Sequence, residues 1–231
     1  NRIIERQLTF LEIETQIKVV LSFGNVPLIV SKNIYQITFV QQYFVFNVSI
    51  INDLKLKIRW ILKGFIIRTL FKFTKSDIAV QSRTMALLAD KINSGGKTYI
   101  FPIFKPFTLS KKIDKTPTNF IYISSAHSYK KIDFLIDAFN NHNEKHKDSV
   151  LYLTIEDENI FKRFNKSFNK NIINLGYVEN NLINKILNSS YNMVHPSLAE
   201  SFGLVLLEAS FNGNAIIAPE MSYVYDVCEP S

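Results

Sequence analysis

The alternation of short apolar runs with helical patterns constrains the fold of this chain more than any other feature. In the second half, each apolar run is followed by a segment whose apolar residues recur at helical spacing. We predict strands over Asn119–Ile123, Val150–Ile155, Asn171–Leu175, Tyr191–His195 and Ala215–Ala218, and helices over Ile132–Asn143, Asn159–Phe168, Asn180–Asn188 and Leu204–Asn212. Strands and helices that alternate through short connections predict an α/β fold with a parallel sheet covered on both faces.

The first half of the chain repeats this alternation. Predicted strands cover Ile17–Phe23, Tyr35–Val40, Asp77–Val80 and Tyr99–Pro102, and predicted helices cover Leu54–Phe73 and Thr84–Asn93. Between the halves, residues 105–119 contain two prolines and several lysines, and they lack periodicity. Such a stretch is typical of a linker. We therefore predict two domains, residues 1–107 and 108–231.

The charge of the chain limits its partners. The formal net charge is +7, which suits polyanions such as nucleic acid, a phospholipid surface or phosphorylated ligands. Positive charge is concentrated in the helix predicted within residues 54–75, and so many charges exclude a transmembrane span. Two interpretations of this helix stay open: a buried helix whose basic side chains reach solvent at their ends, and a contact with an anionic membrane surface.

The single cysteine, Cys228, excludes an internal disulfide framework and a cysteine-based metal cluster. We expect it to be a small buried hydrophobic residue. The chain begins at Asn1 without a segment that resembles a signal peptide, so we expect a fragment of an intracellular protein.

Residues 192–209 carry the most specific chemistry in the sequence. A predicted strand ends at His195, a loop follows, and a helix begins near Gly203. The first amides of a helix lack intrahelical acceptors and attract anions, so a diphosphate would fit at this helix start. Glu200 lies in the loop and Glu208 lies inside the helix. Two carboxylates beside a phosphate site suit a ligand that also presents hydroxyl groups, one set on a ribose and one on a sugar.

These residues resemble the donor-site signature of glycosyltransferase family 4, the retaining enzymes also called group 1 glycosyltransferases. The match consists of two glutamates separated by seven residues around Ser201–Leu204, with Pro196-Ser197 upstream and Gly213 downstream. Residues 120–139 and 174–178 resemble further parts of the family's donor domain. The resemblance implies a GT-B fold, with two Rossmann-like domains that are both incomplete here: an acceptor-side domain and a donor nucleotide-sugar domain.

The resemblance also implies roles for individual residues. Glu208 would hold the ribose hydroxyls, and Glu200 would contact the transferred sugar. Lys130 would neutralise the leaving diphosphate, which is physically apt because negative charge develops there. Glu200 and Lys130 are therefore the catalytic candidates. The remaining donor-binding candidates are Ser201, Phe202, Gly203 and Leu204 around the diphosphate, and Tyr177 in the loop that approaches the base.

For the whole protein, the resemblance implies transfer of a sugar from a nucleotide diphosphate sugar to a hydroxyl acceptor, in the synthesis of a polysaccharide or lipid-linked glycan. It implies no metal and no cofactor beyond the donor. We expect a cytoplasmic location, peripheral at the inner face of the membrane. Nucleic acid is not an expected partner, because the basic segment lacks a recognised base-reading motif.

One departure from the family pattern keeps other functions open. The family has an arginine five residues before the lysine, and this chain has Ser125 there. Lys131 or His127 could compensate for it, and Lys131 could also take the role of Lys130 if the register shifts by one residue. The alternatives are a degenerate module that binds a nucleotide sugar without turnover, and a nucleotide-sugar epimerase on the same scaffold.

Five other positions attract attention on weaker grounds. We interpret His195, at a strand end, as a structural histidine. His142 and His146 are spaced for metal binding, but no further ligand frames them, so we expect both to be solvated. Gln41 and Gln42 end a predicted strand and could line an acceptor pocket.

Overall fold

The computed structural model describes residues 17–92, 95–104, 116–125, 127–156 and 168–228. The chain divides into two compact units, Asn1–Ile103 and Phe104–Ser231. The domain boundary predicted between residues 107 and 108 lies outside the described residues, as does most of the predicted helix Asn159–Phe168.

The first unit contains a four-stranded parallel sheet with the strand order β1-β2-β3-β4. Its strands are β1 (Val19–Ser22), β2 (Tyr35–Phe39), β3 (Asp77–Val80) and β4 (Thr98–Ile100), and its helices are α1 (Leu54–Thr74) and α2 (Arg83–Asp90). The aromatic run after β2 forms a short 3-10 helix, Tyr43–Val45. The predicted parallel α/β pattern is confirmed in this unit.

Side-chain caps fix where both helices of this unit begin. The carboxylate of Asp53 accepts a hydrogen bond from the amide of Leu56 at 2.7 Å, and the hydroxyl of Ser82 accepts one from the amide of Met85 at 3.2 Å. Each bond satisfies an amide that has no intrahelical acceptor. Helix α1 ends at Lys75, which adopts the left-handed conformation with φ of 52°.

Helix α1 contacts the core through a narrow stripe. Gly64, Ile67 and Phe71 are its buried residues, and they pack with side chains of β3 and α2. The basic residues of the helix are exposed or half-buried, so both interpretations of this segment stay open. Its exposed large apolar residues are Leu54, Ile58, Ile61, Leu62, Phe65, Ile66 and Phe73. No helix in the described part of the chain is long and apolar enough to cross a membrane.

The second unit contains a five-stranded parallel sheet with the order β7-β6-β5-β8-β9. Its strands are β5 (Thr116–Tyr122), β6 (Val150–Leu153), β7 (Ile172–Asn174), β8 (Ser190–Val194) and β9 (Ala215–Ile217). Its helices are α3 (Ile132–Lys145), α4 (Asn180–Ser189), α5 (Leu204–Phe211) and α6 (Ser222–Tyr225). The sequence did not predict α6.

The strand order reverses direction between β5 and β8. From β5 the chain builds outwards through β6 and β7, and then it crosses to the other side of β5 to form β8 and β9. Tyr122 packs with α3 in one core cluster, whereas Ile121 packs with α4 and α5 in another. Helices therefore cover both faces, as predicted. Ligands of open α/β sheets bind beyond the carboxyl ends of strands at such a reversal.

Candidate active site

Three side chains meet at the carboxyl ends of β5 and β8. Lys130 ends a short 3-10 helix, Ser128–Lys130, in the loop after β5, and its Nζ forms an ion pair with Oε1 of Glu200. Nε2 of His195, directly after β8, lies 2.8 Å from the same oxygen. Lys130 is 7% exposed and His195 is 1% exposed. The structure thus brings both catalytic candidates together and adds a histidine to them.

Backbone contacts tie the two loops to each other. The amide of Leu198 donates to the carbonyl of Tyr129 at 2.9 Å. The hydroxyl of Tyr223, on α6, donates to the carbonyl of Ser197 at 2.7 Å, and the hydroxyl of Ser197 donates to the carbonyl of Ala199 at 2.9 Å. These bonds fix the backbone on both sides of the ion pair, so Glu200 is held by a rigid frame.

The surroundings of Glu200 keep it ionised. Burial raises the pKa of this carboxyl, but the hydrogen bond from His195 and the charge of Lys130 outweigh burial and lower the pKa to about 2. Glu200 is therefore a carboxylate at neutral pH, with Lys130 as its countercharge. Such a group accepts hydrogen bonds and does not act as a general acid.

Helix α5 begins directly after this cluster. Gly203 precedes the helix with φ of 83°, in the left-handed region that favours glycine. This turn exposes the first amides of the helix, where the dipole attracts anions. Phe202 is buried and stacks on Phe104, with ring centroids 6.2 Å apart. The residue before the turn is thus anchored, while the predicted phosphate-binding amides lie at the helix start.

Glu208 lies on α5, one turn into the helix. Its side chain is half-buried, and burial raises the pKa of its carboxyl. No hydrogen bond or ion pair to this carboxylate occurs among the residues that the structure describes. A half-buried carboxylate whose hydrogen-bonding capacity is not met by the described residues is suited to accept hydrogen bonds from ligand hydroxyls.

The other donor-binding candidates differ in position. Ser201 and Leu204 flank the turn at Gly203, and Leu204 is 41% exposed. Tyr177 follows β7 and is 69% exposed. In the described part of the chain, no hydrogen bond or ring contact joins Tyr177 to the Glu200 cluster. Its loop shares the carboxyl edge of the sheet with the cluster, because all five strands are parallel.

The residues around the missing arginine have other partners. Ser125 is exposed, and its carbonyl accepts a hydrogen bond from Tyr122 at 3.1 Å. His127 is exposed and stacks on Tyr129, with ring centroids 5.5 Å apart. Lys131 adopts a left-handed conformation, with φ of 53°, at the start of α3. Lys130 is therefore the lysine of this pair that contacts Glu200.

The weaker candidates lie apart from this cluster. His142 stacks on His146, with centroids 4.4 Å apart, and packs edge-on against Phe120. His142 is partly exposed and His146 is exposed, and burial together with the neighbouring His146 lowers the pKa of His142. Among the described residues, no group of three or more His, Cys, Asp and Glu could hold a metal ion.

Cys228, Gln41 and Gln42 also lie among the described residues. Cys228 is half-buried and packs at the edge of the α5 core. The amides of Gln41 and Gln42 donate to the side chain of Asn25 in the first unit. An acceptor pocket at these glutamines stays a prediction.

His195 makes a contact that the sequence did not indicate. The ring is buried, as a structural histidine would be, and it also contacts the carboxylate of Glu200. The available signal was its position, because a polar residue at the end of the strand beside a topological reversal faces the ligand edge of the sheet.

Comparison with known proteins decides the family. Residues 107–229 match the family model described as glycosyl transferases group 1. The chain belongs to this family. No curated protein matches the chain. The group 1 match covers the whole Lys130–Glu200–His195 cluster and helix α5.

Solved structures establish that this family member has the GT-B fold. TarM, which is from S. aureus, is 17% identical, with a TM-score of 0.71 over 99% of this chain and 47% of its own. The pneumococcal O-GlcNAc transferase GtfA, solved with UDP and GlcNAc, is 16% identical, with a TM-score of 0.64 over 93% of this chain and 44% of its own. WaaG, a glycosyltransferase involved in lipopolysaccharide biosynthesis, is 13% identical, with a TM-score of 0.61 over 95% of this chain and 64% of its own. The chain spans less than two thirds of the length of each of these proteins.

Proposed function

We propose that the second unit binds a nucleotide diphosphate sugar, and that the protein transfers the sugar to a hydroxyl acceptor with retention of anomeric configuration. The observation that carries the proposal is the Lys130–Glu200 ion pair beside the start of α5. It combines a cation, a hydroxyl-accepting carboxylate and a helix N-terminus at the ligand edge of a parallel sheet. Membership of the group 1 family supports this reading.

In the proposed reaction, the bond between the anomeric carbon and the diphosphate breaks, and its electron pair leaves with the nucleoside diphosphate. The new bond forms to the acceptor oxygen, whose proton passes to an oxygen of the departing diphosphate. Lys130 and the first amides of α5 stabilise the charge that develops on the leaving group. Because this chain supplies that positive charge itself, we propose a reaction that needs no metal. Glu200 accepts hydrogen bonds from the transferred sugar and orients it.

The nucleoside half of the donor is proposed to lie on the other side of the diphosphate. Glu208 is half-buried, and its burial raises its pKa, so paired ribose hydroxyls would compensate for its lost hydration. Tyr177 presents an exposed ring in the loop after β7 and is proposed to pack against the base. GtfA and HepE from Anabaena were each solved with UDP, which makes a uridine nucleotide the first donor to test.

The acceptor is proposed to be a growing polysaccharide or a lipid-linked glycan, and helix α1 is proposed to meet an anionic membrane at the cytoplasmic face. At 100° per residue, its exposed apolar residues Ile58, Leu62 and Phe65 lie opposite the buried Ile67 and Phe71. Basic residues flank this exposed arc on both sides: Lys55, Arg59 and Lys63 on one, and Lys57, Arg68 and Lys72 on the other. An apolar arc between two basic rows is suited to anionic headgroups.

The test is a titration of the full-length protein with UDP-, GDP- and ADP-sugars by calorimetry. Selective binding of one nucleotide that is lost in Glu208→Ala would support the donor site. Glu220→Ala, which removes an exposed carboxylate after β9, is the matched control and should bind as the unaltered protein does. Absence of binding across the whole panel would refute the proposal.

A second candidate function is a degenerate module that binds a nucleotide sugar without turnover. Ser125 favours this candidate. The serine stands where the family has an arginine, so this position supplies no positive charge to the site. Measurement of nucleoside diphosphate release separates the two, since a degenerate module binds the donor but releases no product. Product analysis likewise separates a transferase from an epimerase, which leaves the sugar on its nucleotide.

A further inference from the structure

The ring of His195 engages the site through one nitrogen only. Nε2 lies 2.8 Å from Oε1 of Glu200. Nδ1 is buried and has no hydrogen-bond partner within the described ranges. The ring itself is fixed: it packs edge-on against Tyr223 with centroids 6.2 Å apart, and the backbone amide of His195 donates to the carbonyl of Ile217 at 2.9 Å.

These contacts assign the proton of the ring. A carboxylate only accepts hydrogen bonds, so Nε2 must carry a hydrogen to bond to Glu200. Nε2 is therefore the ring nitrogen that donates to Oε1 of Glu200. Lys130 pairs with the same carboxylate.

Lys130 and His195 share one oxygen of Glu200. Both contacts go to Oε1, and in the described part of the chain no group bonds to Oε2. If Lys130 turns to the diphosphate of a bound donor, Oε1 loses its flexible partner. The imidazole cannot follow, because Tyr223 and the strand end hold it. The N–H group of this fixed imidazole then keeps the orientation of the Glu200 carboxylate.

We propose that His195 is a positioning residue, whose Nε2–H holds Oε1 of Glu200 so that Oε2 keeps its direction towards the donor sugar while Lys130 contacts the diphosphate. This inference rests on the proposed function of the same site. Two side chains then have different roles at the Glu200 carboxylate. Lys130 moves to the diphosphate when the donor binds, and His195 keeps the carboxylate in the same orientation. The groups that face the imidazole are Glu200 and Tyr223, and Lys130 contacts the same oxygen of Glu200.

Two substitutions of His195 test the role of a single nitrogen. The amide nitrogen of glutamine can occupy the position of Nε2, whereas that of asparagine reaches only the position of Nδ1. Both variants lose the ring and its packing on Tyr223, so each controls for the other. We expect kcat of His195→Gln to stay within about threefold of the unaltered protein, and kcat of His195→Asn to fall by about ten- to a hundredfold. The donor KM should change less than kcat.

A measurement without donor keeps the inference independent of the transferase proposal. NMR of carboxyl-labelled glutamate reports the titration of Glu200 in the protein alone. The Glu200 pKa should rise in His195→Asn and stay near its original value in His195→Gln. Equal kcat losses in both variants, or an unchanged Glu200 titration in His195→Asn, would overturn the positioning role. If no nucleotide sugar binds, the transferase proposal fails, and the titration still decides whether His195 holds Glu200.

Discussion

Lys130 and Glu200 form an ion pair across 70 positions of sequence, at the junction of two neighbouring strands. Both side chains are largely buried, with 9% and 17% of their side-chain surfaces exposed. Removing one member of a buried pair leaves the other charge without compensation. The pair is therefore tied to both folding and the proposed chemistry.

Lys130→Met should lower kcat by about 10²–10³-fold, because it removes the cation proposed to stabilise the leaving diphosphate. The measurement is steady-state release of nucleoside diphosphate, with the unfolding temperature recorded in parallel. Lys131→Met is the matched control, since it removes a neighbouring lysine that does not contact Glu200. Equal losses of kcat in the two variants would contradict the assignment of Lys130.

Glu200 should make the stability of the fold depend on pH in the acid range. Its pKa of about 2 lies below the ordinary 4.5, because the His195 hydrogen bond and the Lys130 charge outweigh the raising effect of burial. A lowered pKa contributes stability that is fully present above about pH 4.5 and is lost as pH falls towards 2. Urea unfolding should show the unaltered protein more stable than Glu200→Gln at pH 7, with the difference shrinking at pH 3. A difference that stays constant with pH would count against this account.

Glu208→Gln should stabilise the fold and weaken donor binding. Burial raises the pKa of Glu208, and a raised carboxyl pKa means that ionisation at neutral pH costs the folded state stability. The neutral amide removes that cost, so the unfolding temperature at pH 7 should rise. Donor affinity should fall by about 1–3 kcal/mol, because the charge-assisted hydrogen bonds to ribose are lost. Calorimetric titration should show the lower donor affinity, and thermal unfolding should show the higher unfolding temperature.

Gly203→Ala should combine backbone strain with a loss of donor binding. At φ of 83° an added Cβ meets its neighbours at ordinary distances, the nearest at 3.5 Å, so the cost of about 1–2 kcal/mol comes from conformation. Gly213→Ala is the matched control, because Gly213 has φ of 66° and open space around it. Both variants should lose similar stability in urea unfolding, while only Gly203→Ala should weaken donor binding. If Gly203→Ala and Gly213→Ala bind the donor with similar affinity, the turn at Gly203 does not contribute to phosphate binding.

Helix α1 should bind anionic vesicles through its exposed arc. Sedimentation with phosphatidylglycerol vesicles should show binding that weakens with added salt, because headgroup attraction is screened. Arg59→Glu combined with Lys63→Glu reverses charge on one basic row and should abolish sedimentation. Lys145→Glu together with Lys147→Glu, at exposed positions in the last turn of α3 and just beyond it, makes the same charge change elsewhere and should leave binding intact. Equal binding by both double variants would refute the α1 surface.

The sequence predicted most strands and helices of the described residues closely, because hydrophobic periodicity and capping residues are local signals. The prediction of a linker as far as residue 119 was wrong, because β5 begins at Thr116 with polar residues that carry no apolar pattern. Asp53 and Ser82 begin helices within one residue of the predicted starts, and β3 has the predicted bounds. The pattern also predicted parallel strands, since short αβ connections allow little else. The short helix α6 was missed because one helical turn carries too little periodicity to detect.

The candidate site was less accessible to sequence reasoning. The loop of Glu200 and the start of α5 follow from local signals, and the resemblance supplied Lys130. The role of His195 depends on which atoms meet after β8 docks against β5, and that is a tertiary contact. The packing of His142 on Phe120 is a second tertiary contact: it joins a helix to a strand, and no local pattern reveals it.

The crossover from β7 to β8 has a consequence for the assembly of the site. Lys130 lies on the half of the sheet built first in the chain, and Glu200 and His195 lie on the half added last. A break in the polypeptide between β7 and α4 would separate the cation from its carboxylate, and neither piece alone would contain a working site. Reassociation of two such fragments would restore both at once, so recovered donor binding would report directly on completion of the sheet.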